Sequence, residues 1–183
     1  ISISMKFFFF ITLSMFFFSC GPNQQKPLLV ITLQATSGEM ILQGPINITN
    51  LKISPITPWF NLEYDKINID PKWIKKIQPF LKGVKIKVFM GTWCLDSQRE
   101  LPHFFKLLNV LEFDQNDLKM YAMSEEKTTV ENFEEGLDIN NVPTIIFFKN
   151  EKEMNRFVEF PVNSIESDIE KIVKGTAYNH SYK

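Results

Sequence analysis

Apolar residues along this chain change their spacing several times, and each change marks an element. Phe7 to Phe18 is a mostly apolar stretch preceded by Lys6. Leu28 to Leu33 is shorter, apolar and partly β-branched, which predicts a strand. Ser37-Gly38 marks a turn, Met40-Ile41-Leu42 a second short strand, and Gly44-Pro45 a break. Ile46 to Ile53 alternates in part, with Ile46 and Ile48 set against Asn47 and Thr49. Pro55, Pro58 and Trp59-Phe60 follow. Residues 28–64 therefore read as an irregular β-rich extension without a chemical motif. The Trp59-Phe60 pair fits core packing better than an exposed partner surface.

Beyond residue 65 the pattern is more regular. Asp70-Pro71 opens a helix, with aspartate at the N-cap and proline in the first turn. Trp73, Ile74, Ile77, Phe80 and Leu81 keep helical spacing, Pro79 kinks or ends it, and Gly83 closes it. Val84, Ile86, Val88 and Met90 alternate against Lys85 and Lys87, as a strand entering a core does. A helix is expected from Ser97 to Val110, a strand from Leu118 to Met123, and a short helix from Val130 to Glu135, stopped by Gly136. Thr144 to Phe148 is an apolar strand. Residues 149–152 form a hairpin turn, and Arg156 to Phe160 is the returning strand. Asn163 to Val173 is the last helix, with Asn163 or Ser164 as its cap, and residues 176–183 form a frayed tail. The order predicts an α/β fold, a central mixed sheet with helices on both faces.

The N-terminal run changes the picture first. Met5 is the expected start, Lys6 the basic flank, and Phe7 to Phe18 the apolar stretch of an export signal over residues 1–19. Twelve residues make roughly 18 Å of helix, short of the ~30 Å core of a bilayer. Ser19-Cys20 resembles the end of a bacterial lipoprotein lipobox, which implies lipidation of Cys20. Several acyl chains there imply stable anchoring. Residues 20–27 then form a tether, and its polar part, Gly21 to Pro27, reaches at most about 25 Å. The net charge of −1 gives no electrostatic case for nucleic acid.

Two cysteines invite a disulfide, but Cys20 and Cys94 sit in separate contexts. Cys94 lies in Gly91-Thr92-Trp93-Cys94-Leu95-Asp96-Ser97, at a strand-to-helix junction. There a cysteine faces unpaired backbone N–H groups and the positive end of a helix dipole, which favour the nucleophilic thiolate. Asp96 is a first-turn acid, a sufficient structural reason for it, though its charge opposes a thiolate. His103 reads as a partly exposed helix-face residue and His180 as part of the tail. Two histidines and one usable cysteine form no recognisable metal site, and no cofactor is implied. Glu131, Glu134 and Glu135 read as a solvated face.

Trp93-Cys94-x-x-Ser97, Pro102 five residues past Ser97, and Val142-Pro143-Thr144 before an apolar strand together resemble the thioredoxin family over residues 65–175. The Gly-Thr-Trp-Cys-x-Asp-Ser variant is similar to exported thioredoxin-like proteins of Bacteroidetes-type bacteria. The resemblance implies a thioredoxin-like fold, a cis Pro143 facing Cys94, and Trp93 as a flat apolar wall. It also implies a site of Cys94, Ser97, Trp93, Asp96 and Pro143. Ser97 stands where the family carries its resolving cysteine, and can bond a thiolate or cap the helix. Val88 stands where the family places a buried carboxylate, with Asp96 as a replacement by proximity. The implied function is thiol–disulfide exchange through one cysteine, outside the cytoplasm at a bacterial envelope. Its partners would be protein or small-molecule disulfides, an external thiol and, through lipid, the membrane. The alternative is a redox-inactive module that binds polypeptides through Trp93, Pro143 and the extension. A thiol peroxidase ranks last, because the proline and threonine usual just upstream are missing.

Overall fold

The computed structural model describes residues 30–183. The expected export signal, the expected lipidation site at Cys20 and the expected tether lie outside the described residues. Within them, the extension contributes strands β1 (Ile31–Gln34) and β2 (Met40–Ile46) and helices α1 (Ile48–Ile53) and α2 (Pro58–Tyr64). There follow α3 (Pro71–Ile77), a 3-10 turn at Gln78–Leu81, β3 (Val84–Met90), α4 (Leu95–Val110) and β4 (Leu118–Ala122). The chain continues through β5 (Thr144–Lys149), β6 (Lys152–Val158) and α5 (Ile165–Lys174). The strands form one mixed sheet in the order β1-β2-β4-β3-β5-β6. Among the described strands only the β3–β4 pair is parallel.

The extension departs from its β-rich reading. Residues 48–53 are helical because Asn47 and Asn50 bond each other's backbone N–H groups reciprocally, at 2.8 and 3.1 Å, and so start a helix. Pro58 at the first position then starts α2. That helix buries Phe60 against Tyr64 and Phe105, with ring centroids 5.7 and 6.1 Å away. Gly44-Pro45 does not break β2. Residues 40–43 of β2 pair with β1, and residues 44–46 pair with β4. Among the described residues Pro45 has a strand partner on one side alone, in β4, a place where a strand tolerates proline. The extension is built into the sheet.

Val84, Ile86, Val88 and Met90 share a face with Met120, Ala122, Ile145 and Phe147. The buried side chains of all five α-helices join that same core. The other face carries a smaller cluster of Phe89, Tyr121, Met123, Ile139, Val142 and Ile146, covered by Phe133 and Leu137 of the segment between β4 and β5. No helix forms at 130–135, contrary to the periodicity there, and helices do not cover this second face. Glu134 bonds the backbone N–H and the hydroxyl of Thr129, and that hydroxyl accepts from Phe133 N at 2.8 Å. Such side-chain bonds compete with helix formation, and Asn132 and Gly136 have positive φ, 52° and 73°.

The β5–β6 turn uses Asn150 and Glu151 at φ of 52° and 60°, which matches the right-handed twist of the strands. This sets β6 from Lys152, earlier than Arg156. Ser164 caps α5 and Gly175, at φ 67°, ends it. Residues 176–183 are not frayed: Tyr178 is buried and donates its hydroxyl to Asp168.

Candidate functional site

Cys94 is the N-cap residue of α4, so the helix begins at Leu95, two residues before the expected Ser97. Its amide donates to Gly91 O at 3.1 Å and its carbonyl accepts from Gln98 N at 3.0 Å. The thiol is partly exposed and donates to Val142 O at 3.0 Å. The Val142–Pro143 peptide is cis. Pro143 O in turn accepts from Glu159 N at 2.8 Å, just past β6. Three segments therefore meet at one end of the sheet: the β3–α4 turn, the loop before β5, and the β6–α5 loop.

Trp93 lies flat against Gly91. A Cβ on Gly91 would stand 2.5 Å from the indole Cε2, so only glycine fits. The indole Nε1 donates to Met123 O at 3.0 Å, and this fixes the ring. Gln98 Nε2 bonds Thr92 O at 2.8 Å. The buried Thr92 hydroxyl accepts from Leu42 N at 3.1 Å. Through that bond the extension holds the turn that carries Cys94. A second tie runs from Gln43 Nε2 to Thr128 O at 3.0 Å. Met40, Ile41, Ile56, Pro58, Trp59 and Trp93 line a depression of about 520 Å³ on this side of the turn.

Ser97 is fully buried, and its hydroxyl accepts from Gly91 N at 3.3 Å. It joins the end of β3 to α4. It is not the N-cap, and its recorded bond is to Gly91 instead of the Cys94 thiol. Asp96 pairs with Arg99 of the next turn at 2.5 Å. Val88 is wholly buried in the apolar core. A buried carboxylate does occur in α4, at Glu100, 7% exposed and bonded to Arg99 at 2.6 Å. Burial pushes its carboxyl above the ordinary range, and Arg99 partly offsets that. His103 Nε2 meets Glu166 Oε1 at 2.8 Å, a tie between α4 and α5. Burial holds the His180 ring below its ordinary value. Among the described residues, no group of three His, Cys, Asp or Glu side chains is placed to hold a metal ion.

Cys94, Trp93 and Pro143 thus come together, whereas Ser97 and Asp96 turn to partners of their own. Sequence reasoning did not single out Val142, whose contribution is a backbone carbonyl, nor Thr92, whose role depends on a strand fifty residues earlier. Glu159 and Tyr182 were also missed. Glu159 adopts φ 58°, and no glycine marks that turn.

No curated protein matches the chain. Among solved structures, a protein of unknown function from Pseudomonas aeruginosa aligns with a TM-score of 0.54 and 14% identity, over 71% of this chain and 92% of that one. An HIV epitope scaffold aligns with a TM-score of 0.53, 14% identity and the same coverages. Thioredoxin O2 from Arabidopsis thaliana, in its oxidized state, aligns with a TM-score of 0.37 and 20% identity, over 54% of this chain and 87% of that one. The first two likenesses show the fold. The family model described as thioredoxin matches residues 60–170, more than half of the length, and the chain belongs to the thioredoxin family.

Proposed function

We propose that this protein carries out thiol–disulfide exchange through Cys94 alone, at a bacterial cell envelope, anchored by lipid on Cys20. The observation that carries the reading is the seat of Cys94: a partly exposed thiol at the start of a helix, against the carbonyl of a cis X-Pro pair. The Cys94 thiolate attacks one sulfur of a substrate disulfide. That S–S bond breaks, its electron pair leaves on the other sulfur, and a mixed disulfide forms. One external thiol then attacks the Cys94 sulfur of the mixed disulfide and releases the second substrate thiol, and a second external thiol frees Cys94; the substrate gains two electrons, and the two external thiols leave joined as a disulfide. Where the substrate supplies the attacking thiol, its disulfides are rearranged with no net redox change. Ser97 holds the turn through Gly91 N, and the Trp93 ring is fixed beside it by Met123 O.

Cys94 is expected to alkylate faster than an unstructured thiol at mildly acidic pH, and to trap disulfide-linked partners in cells. Slow alkylation and no Cys94-dependent adducts sink the exchange reading. They favour a polypeptide-binding module, for which the depression lined by Met40, Trp59 and Trp93 is the supporting feature. For the anchor, Cys20→Ala is expected to abolish acyl labelling, and persistent labelling of that variant overturns the assignment. No described helix is long and apolar enough to cross a membrane.

A further inference from the structure

Residues 176–183 travel from the end of α5 to the end of the sheet that holds Cys94, and they are held at successive points. The Tyr178 hydroxyl donates to Asp168 Oδ2 at 3.2 Å, and Asn155 Nδ2 of β6 donates to Tyr178 O at 2.9 Å. Asp168 also accepts from Val162 N at 2.7 Å, so one buried carboxylate holds both this segment and the β6–α5 loop. Further on, the Ser181 hydroxyl donates to Phe160 O at 2.7 Å. The Tyr182 ring lies 6.1 Å from the Phe160 ring, and its hydroxyl donates to Glu159. Asn141 and Tyr182 line one depression together with Asp138, Thr144 and His180.

Two of these partners adjoin the loop that accepts the Cys94 thiol. Asn141 directly precedes the cis Val142–Pro143 pair, whose first carbonyl accepts from the thiol. Glu159 is the residue held by Pro143 O. Tyr182 therefore stands where the cis-proline loop and the β6–α5 loop meet. It is held lightly, because the residue is 55% exposed and surface hydrogen bonds are individually weak. Tyr178 is buried and firmly placed. The segment is firmly fixed at Tyr178 and loosely fastened at Tyr182.

We propose that residues 176–183 act as a strap and that Tyr182 determines the size of reagent admitted to Cys94. The strap passes low-molecular-weight disulfides and holds back disulfides on folded proteins until Tyr182 leaves Glu159. The inference rests on Cys94 as the reacting group of the proposed exchange. The chemistry is unchanged: the thiolate displaces one sulfur of the disulfide, and the electron pair leaves on the other. The strap alters only who can approach.

The test uses the full chain with Cys20→Ala, so that Cys94 is its single thiol, alone and combined with Tyr182→Ala or with Ser181→Ala/Tyr182→Ala. Cys94 is modified in turn with N-ethylmaleimide and with a maleimide carried on a long polyethylene glycol. Both variants are expected to keep the small-reagent rate and the melting temperature. The large-reagent rate is expected to rise roughly fivefold, the weight of one surface hydrogen bond. An unchanged large-reagent rate overturns the strap, and so does an equal rise with both reagents. Exchange with glutathione disulfide is followed in parallel. Size-selective alkylation without any exchange supports the strap and sinks the exchange reading. Exchange without size selection does the reverse.

Discussion

At the scale of single residues, the turn before α4 depends on close approaches that leave little freedom. Gly91→Ala places a methyl group inside the Trp93 indole, whose ring is pinned by Met123 O. The expected cost is about 1–3 kcal/mol, read by urea unfolding. It should be largely recovered when Trp93→Ala is added, and an additive loss would show that the clash is not the cause. Ser97→Cys replaces a buried hydroxyl of nearly the same shape, three residues after Cys94 in the first helical turn. One helical turn brings two Cα atoms within the roughly 4.4–6.8 Å that a disulfide spans. The variant is therefore expected to oxidise internally, seen as the loss of two hydrogens in its intact mass. Glu100 offers a pH test. Burial raises its carboxyl, so the folded state binds the proton more tightly than the unfolded one. Its contribution to stability is full below the ordinary value of 4.5 and is lost as pH rises through the folded value. Unfolding free energy measured against pH is expected to fall less steeply above pH 4.5 in Glu100→Gln than in the parent. Cys94, Trp93 and Pro143 were legible because side-chain identity and order along the chain marked them. The partner of Ser97 was not, because a backbone amide at Gly91 has no signature in the sequence.

At the scale of elements, the turn and the extension are coupled through one buried bond. Thr92→Val removes the acceptor of Leu42 N and leaves that amide unpaired, at a cost of about 1–3 kcal/mol. Hydrogen exchange should show faster opening at Leu42 than in the parent, and unchanged protection there would remove the coupling. The strands and helices from α3 onward were readable because their apolar spacing was long and their ends carried caps, as Asp70-Pro71 and Gly175 do. The extension was harder. Ile46 and Ile48 imitate strand alternation, and only the Asn47–Asn50 reciprocity reveals a helix. Residues 130–135 erred the other way: their spacing suits a helix, but Thr129 and Glu134 spend its backbone bonds elsewhere.

At the scale of the whole molecule, β1 and β2 lie outside the span of the family model yet complete the sheet beside β4. A variant lacking residues 30–46 is expected to bare that edge and associate. Light scattering and a broadened thermal transition would show it, and a monomer with the parent's melting temperature would mean that the core stands without them. The placement of five helices against one face leaves the second face to a loop, and Cys94 lies where that loop returns to the sheet. The buried Ser97 hydroxyl, spent on Gly91 N, has a consequence in time. Under the proposed exchange, no side chain of the turn expels a group attached to Cys94. An adduct that brings no thiol of its own then has a lifetime inversely proportional to the thiol concentration outside. Such an encounter is timed by the surroundings and not by the protein.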